Sequence, residues 1–418
     1  MSQPQNKIDY DFLPGHPLGV AAPLGFRAGT TYCGLKTPGP GKLDLGILVS
    51  DTLCSVAGVF TTNVVRAASV LVNEEIVQQS GKAQAIIFNA GNANACTGEQ
   101  GLTDAYEMAR LTATKFDLDP AAVLVTSTGV IGHLLPMDKI RQGVAQIELH
   151  EGEIAGTSAS FAIMTTDTRP KRCVVRLMLG GRQVIIGGMC KGAGMIHPNL
   201  ATMLCYITTD VAATPLFLQA LLSEVVQDTF NMITVDGDSS TNDSVLVMAN
   251  GKAHNPTLGQ GATTEDEHKF KLAFGAIMTY LAKEIARDGE GATKLLEIIV
   301  RGAVDKTQAR LAARTAVGSN LTKAAMYGND PNWGRIIAAI GRSGAQFDIN
   351  KVDISIAGIN MMQNGVPQLF DKPTVQTALK APEVLVLVDL HTKGEDEATA
   401  WGCDLTQEYV VINSEYET

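Results

Sequence analysis

The chain of 418 residues contains no Cys-x-x-Cys pair, no His-x-x-x-His spacing and no combined Cys/His pattern among its seven histidines, so no metal site is expected. Its seven cysteines, Cys33, Cys54, Cys96, Cys173, Cys190, Cys205 and Cys403, are odd in number and scattered. That excludes a disulfide framework and points to free, mostly buried thiols in a reducing compartment. Positive charge is in deficit, with 33 Lys and Arg against 43 Asp and Glu. A net charge of −10 argues against nucleic acid or an anionic membrane as partner. No apolar run approaches the ~20 residues of a membrane span. The first ten residues lack the basic-then-apolar order of a secretory signal. A cytoplasmic protein is the expectation. Internal repeats and low-complexity linkers are missing too.

What the chain does have is 45% hydrophobic residues and 41 glycines, enough for a large core with many turns and close backbone approaches. Short β-branched runs at 56–62, 84–88 and 123–126 read as strands, and 104–116 carries apolar residues at helical spacing. Runs at 174–179 and 183–186 flank Gly180-Gly181, a two-residue loop suited to a hairpin. Beyond them the pattern predicts a helix over 216–230, a strand at 245–248, a polar loop over 251–268 and a long helix over 269–287. Strands near Ile298, 352–356 and 384–388 follow. The fold class is α/β without a regular βαβ alternation.

One segment stands out: Lys191-Gly192-Ala193-Gly194-Met195-Ile196-His197-Pro198-Asn199-Leu200-Ala201-Thr202. It sets a glycine-rich, proline-stopped loop directly before a threonine that opens the apolar run 203–207. A threonine hydroxyl is a weak nucleophile at neutral pH unless a base lies within hydrogen-bond reach. A cut before Thr202 would make its own α-amine that base. Thr202 is therefore the best internal boundary. Cys190 and Cys205 flank the loop and read as core filling.

Four further clusters bear on chemistry. Ser127-Thr128-Gly129-Val130-Ile131-Gly132 follows a strand, so Thr128 and Gly129 sit at a strand end. A hydroxyl and a neighbouring backbone N–H there serve one developing oxyanion, or simply form a turn. The asparagine-rich segment 89–98 either admits a ligand close to the backbone or makes a tight Asx-turn loop. Asp288-Gly289-Glu290-Gly291 ends the long helix; a carboxylate framed by glycines suits an ammonium, and its place at a helix C-terminus is a misfit with the dipole. Residues 328–335, with one of only two tryptophans, read as structural.

In this order, and together with Thr165-Thr166-Asp167-Thr168, Asp236-Gly237-Asp238-Ser239-Ser240-Thr241-Asn242-Asp243 and the ending 409–418, the motifs resemble the ornithine acetyltransferase (glutamate N-acetyltransferase) family over nearly the whole chain. The resemblance implies an N-terminal-nucleophile-like sandwich of sheets and helices. It implies a precursor that cleaves itself between Ala201 and Thr202 into chains 1–201 and 202–418, assembled as a heterotetramer. The implied reaction moves the acetyl group of N2-acetyl-L-ornithine to L-glutamate by ping-pong through an acetyl-threonine, without metal or prosthetic group. In that scheme Thr202 is the nucleophile, and Thr128 and Gly129 are the oxyanion donors. Thr165, Lys191, Thr202, Glu290, Asn413 and Thr418 bind substrate. Lys191 would hold a substrate carboxylate and Glu290 the side-chain ammonium of ornithine.

Departures from the family are slight. Leu200 replaces a more usual methionine, a volume-conserving change. His197 occupies a variable position, where an imidazole beside the scissile loop is either an added proton donor or simple variation. Some members of the family also take acetyl-CoA as co-substrate; this chain has neither a Gly-x-x-x-x-Gly-Lys-[Ser/Thr] loop nor a basic cluster beside a glycine loop. Two rival readings stand beside the transferase: a self-cleaving N-terminal-nucleophile amidase or aminopeptidase, with water as acceptor, and an inactive binding homologue.

Overall fold

The runs of β-branched residues resolve into two mixed sheets in the computed structural model, which describes residues 10–36, 41–197 and 203–415. The first sheet runs in the order Tyr10–Pro14, Lys171–Leu179, Arg182–Lys191, Leu204–Thr209, Ser244–Ala249, Leu45–Phe60, Lys82–Asn92 and Val123–Val130, with Phe26–Thr31 paired on Leu45–Phe60. The second contains Leu295–Ala303, Asp353–Ile356, Glu383–Asp389 and Asp396–Cys403 among its members. The expected α/β class holds, and so does the hairpin, which turns at Gly180-Gly181.

All six residues of Leu204–Thr209 are buried, as an interior strand covered on both faces requires. It runs antiparallel to Arg182–Lys191 and parallel to Ser244–Ala249. The register pairs Leu204 with Lys191 on one side and with Ser244 on the other. The boundary expected at Thr202 therefore does not separate two folding units. Strands from 202–418 sit inside a sheet otherwise built from 1–201.

Several elements are longer than their sequence patterns suggest. The strand expected at 56–62 is the second half of Leu45–Phe60, hidden by an exposed interruption, Asp51-Thr52-Leu53, where the ladder slips. The long helix spans Thr264–Arg287, five residues more than expected. Thr263 caps it by accepting the Asp266 amide at 3.1 Å, and Glu265, Asp266 and Glu267 fill the first turn where the helix dipole favours acids. The helix expected over 216–230 stops at Val225 and continues as 3-10 turns.

The helix Thr264–Arg287 joins the sheets. It packs on Lys171–Leu179 and Arg182–Lys191 of the first and on Asp396–Cys403 of the second. Phe270, Phe274, Ile277, Leu281 and Ile285 recur at three- and four-residue spacing and lie in one core continuous across both sheets. Each such side chain contributes roughly 1.5–3 kcal/mol on burial. Among the described residues no helix is long and apolar enough to cross a membrane. Phe274→Ala should open a cavity in this shared core and cost about 3–5 kcal/mol. Denaturant unfolding measures this; an unshifted midpoint would contradict the placement of the helix.

Candidate active site

Two strand ends of the first sheet open into one cleft of about 1530 Å³. Val123–Val130 delivers Thr128 and Gly129, and Arg182–Lys191 delivers Lys191. Thr165, Glu290 and Asn413 line the same cleft. Six candidate residues from five separate stretches of sequence thus converge. Ala201, Thr202 and Thr418 lie outside the described residues. Met203, next in sequence to Thr202, is buried, and its carbonyl accepts the Ser244 amide at 2.9 Å.

The turn at Gly129 needs glycine. Its φ is +134°, and a Cβ there would lie 2.3 Å from the Gly91 carbonyl carbon. Thr128 Oγ1 accepts a hydrogen bond from Lys191 Nζ at 3.3 Å, which leaves the hydroxyl hydrogen for an oxygen in the cleft. Asn242 Nδ2 donates to the carbonyls of Ser127 at 2.8 Å and Ala93 at 2.6 Å, pinning this strand end from behind. The asparagine-rich segment takes its structural reading. Asn89, Asn92 and Asn94 donate to the main-chain carbonyls of Asn92, of His133 and Leu134, and of Gly101. Trp333 likewise packs against the core, as its structural reading expects.

Lys191 and Glu290 are both buried, with 8% and 6% of their surface exposed. Burial pushes the Lys191 ammonium below the usual lysine range; the carboxylates of Asp167, Asp243 and Glu290 act against that shift. Glu290 Oε2 accepts from Asn413 Nδ2 at 2.8 Å. Asn413 is carried by the helix Gln407–Glu415, one turn beyond Tyr409, which also lines the cleft. A Cβ on Gly194 would stand 2.4 Å from the Glu290 carboxyl group, so a side chain at 194 would push that carboxylate from its place. The Glu290 amide donates to the Ala193 carbonyl at 3.0 Å and straps the two loops together.

A family model described as the ArgJ family matches residues 27–418. The chain belongs to the ArgJ family. It is similar to the arginine biosynthesis bifunctional protein ArgJ of Symbiobacterium thermophilum, at 51% identity over 96% of this chain and 98% of that one. The protein of the same name from Dehalococcoides mccartyi is 47% identical over 99% of this chain and 100% of its own. Among solved structures, ArgJ from Bacillus halodurans is 47% identical, with a TM-score of 0.49, covering 51% of this chain and 100% of that one. Ornithine acetyltransferase from Mycobacterium tuberculosis, solved with ornithine, is 40% identical with a TM-score of 0.42, covering 46% of this chain and 100% of that one.

In this ArgJ-family chain, several residues of the cleft carried no assigned role in the sequence reading. Asp236 accepts the amides of Met195 at 2.6 Å and Ile196 at 2.8 Å, and Ser239 Oγ donates to the His197 carbonyl at 2.9 Å. The motif 236–243 therefore grips the approach to Thr202, and Ser244 secures Met203 beyond it. Asp243 is buried, and its Oδ2 finds no partner among the described residues. Burial pushes its carboxyl well above the usual range, against the Ser240 hydroxyl and the Lys191 ammonium. The repeated aspartates were visible as a motif, but nothing in a linear string says which of them turn inward. Among the described residues no group of three or more His, Cys, Asp or Glu is placed to hold a metal ion.

His197 bears on the question of an extra proton donor. Its Nδ1 lies 3.0 Å from Thr234 Oγ1, and burial followed by the Arg314 charge moves its pKa down to about 4. The imidazole is neutral at pH 7 and is no protonated donor there. An NMR titration should give a His197 midpoint near pH 4. A midpoint above 6 would contradict this environment.

Proposed function

We propose that the protein transfers the acetyl group of N2-acetyl-L-ornithine to L-glutamate through an acetyl ester on Thr202, releasing L-ornithine and then N-acetyl-L-glutamate. Membership of the ArgJ family makes it an acyltransferase of arginine biosynthesis. The observation that carries the detailed reading is the pairing of opposite buried charges, Lys191 and Glu290, in the cleft that also receives Thr128 and Gly129. Acetylornithine is complementary to that arrangement: an α-carboxylate for Lys191, a side-chain ammonium for Glu290, and an amide carbonyl between them.

The chemistry follows in two balanced halves. Thr202 Oγ attacks the acetyl carbonyl while its α-amine takes the hydroxyl proton. The oxyanion that develops is met by the Thr128 hydroxyl and the Gly129 N–H, each such donor supplying about 3–4 kcal/mol. The C–N bond breaks, and ornithine leaves with the proton on its α-amine. Glutamate's amine then attacks the ester, the C–O bond breaks, and the proton returns to Thr202 Oγ. Formation of the enzyme obeys the same logic. Thr202 Oγ attacks the Ala201 carbonyl, the resulting ester is opened by water, and chains 1–201 and 202–418 result. We take two such pairs to associate as a heterotetramer in the cytoplasm, with no cofactor. Acetyl-CoA would acylate Thr202 in the same manner, consistent with the word bifunctional in the relatives' names.

Incubation of purified protein with acetylornithine and glutamate should yield N-acetylglutamate and little acetate; acetate as the main product would favour the amidase reading. Thr202→Ala should run as one uncut chain of unchanged fold with no transfer, and two chains from that variant would overturn the assignment. Thr128→Val should mature normally yet lose roughly 10²–10³ in kcat with KM little changed. A loss confined to KM would remove Thr128 from the oxyanion site.

A further inference from the structure

A buried ion cluster adjoins the cleft, with Asp167 among the lining residues. Lys171 Nζ stands 2.6 Å from Asp167 Oδ1 and 2.5 Å from Asp288 Oδ2, and the side chains of Lys171 and Asp167 have no exposed surface. Burial would raise Asp167, but the ammonium groups of Lys171 and Lys191 and the Gly192 N–H hold it below the usual carboxylate range. Such a cluster is a weak source of stability, because apolar groups of the same size often do as well. Its cost points to a use in placing other groups.

Further bonds tie the cluster to segments that line the cleft. Asp167 Oδ1 accepts the Gly192 amide at 2.7 Å, fixing the peptide that follows Lys191, and Oδ2 accepts the Thr165 amide at 3.0 Å. Asp288 accepts the Thr168 amide at 3.1 Å and also the Thr168 hydroxyl; Glu290 follows it by two residues. The segments bearing Thr165, Lys191 and Glu290 are thereby tied to one another by three side chains. The charged groups facing Lys191 are Asp167 and Lys171 from one segment, Asp243 ahead of Ser244–Ala249, Glu290 after the long helix, and Lys36 on the cleft wall. Of the carboxylates, Asp167 acts most strongly on it.

We propose, resting on the reading of Lys191 as the partner of the substrate α-carboxylate, that Asp167 is a positioning residue: held by Lys171 and bonded to the Gly192 amide, it keeps the Lys191 ammonium charged and aimed, and so gives the cleft its selectivity for donors that carry an α-carboxylate. Lys171 acts through Asp167, while Asp288 holds the Thr168 amide and sets the backbone from which Glu290 reaches the ammonium.

The test compares N2-acetyl-L-ornithine with its decarboxylated analogue N-acetylputrescine, which keeps the amide and the terminal ammonium. Wild-type protein, Asp167→Asn, Asp288→Asn and Lys191→Met are measured, each after confirming its melting temperature and chain cleavage. In Asp167→Asn the ratio of kcat/KM for the two donors should fall about tenfold, mainly through KM for acetylornithine. The alkaline limb of its pH profile should move to lower pH, because a carboxylate that favoured the ammonium is gone. Asp288→Asn should weaken both donors alike and leave that limb in place. Equal losses on both donors in Asp167→Asn, with an unmoved limb, would mark the cluster as structural and overturn the proposal. If Asp167→Asn alone does not fold, the double variant Asp167→Asn/Lys171→Met removes opposite charges together and carries the same donor comparison. A ratio unchanged in Lys191→Met would take away the reading of Lys191 itself. A ratio lost in Lys191→Met but kept in Asp167→Asn would sink the positioning role alone.

Discussion

An ammonium group withdrawn from water sets the terms for everything around it. Desolvating one such ion costs several kcal/mol, and carboxylates in direct contact are the strongest means of offsetting it. Lys171 meets two, Asp167 and Asp288, which are 121 positions apart in the chain. Once that contact forms, the segment after the helix Gly152–Ala162, the end of Arg182–Lys191 and the end of Thr264–Arg287 have little freedom left. Those three ends form one wall of the cleft. Its precision comes from a requirement of solvation as much as from packing.

The sheet contributes the other half of the geometry. Because Leu204 is paired with Lys191 on one side and Ser244 on the other, the chain enters its interior strand between a cation and the acidic motif 236–243. Asp236 and Ser239 hold the backbone up to His197, and the Ser244 amide holds it again at Met203. Hydrogen bonds to main-chain groups do this work, which suits a segment whose own glycines offer few side chains to grip.

Much of this was legible in the sequence where the signal is local. Gly180-Gly181 between two β-branched runs reads as a hairpin, and a strand running into Thr128-Gly129 reads as a strand end facing open space. The glycines around Glu290 marked a carboxylate suited to a pocket, and the structure places it on the cleft wall beside Gly194. Extents were less readable. Gly98 and Gly101 disguise the first turn of the helix Gly98–Phe116, and the polar pair Asp51-Thr52 splits a single long strand in two. The ion cluster was beyond reach for a different reason. Asp167 and Lys171 are neighbours at a four-residue interval, a spacing common on any solvated surface, and only the tertiary fold brings Asp288 to them and removes the water. The family resemblance supplied residue roles that spacing alone does not, and Asp167, Lys171 and Asp288 had none to carry over.

The interleaving of the two halves has a consequence for inheritance of the parts. With Leu204–Thr209 zipped between Arg182–Lys191 and Ser244–Ala249, a peptide bond opened just ahead of it changes the number of polypeptides without changing the object. The halves could part only by unpairing two ladders in the middle of a sheet. A molecule cut there would keep the two halves that were translated together. The half 1–201 made alone would lack two interior strands of its sheet, Leu204–Thr209 and Ser244–Ala249, and the half 202–418 would carry those two strands with no neighbours on either side.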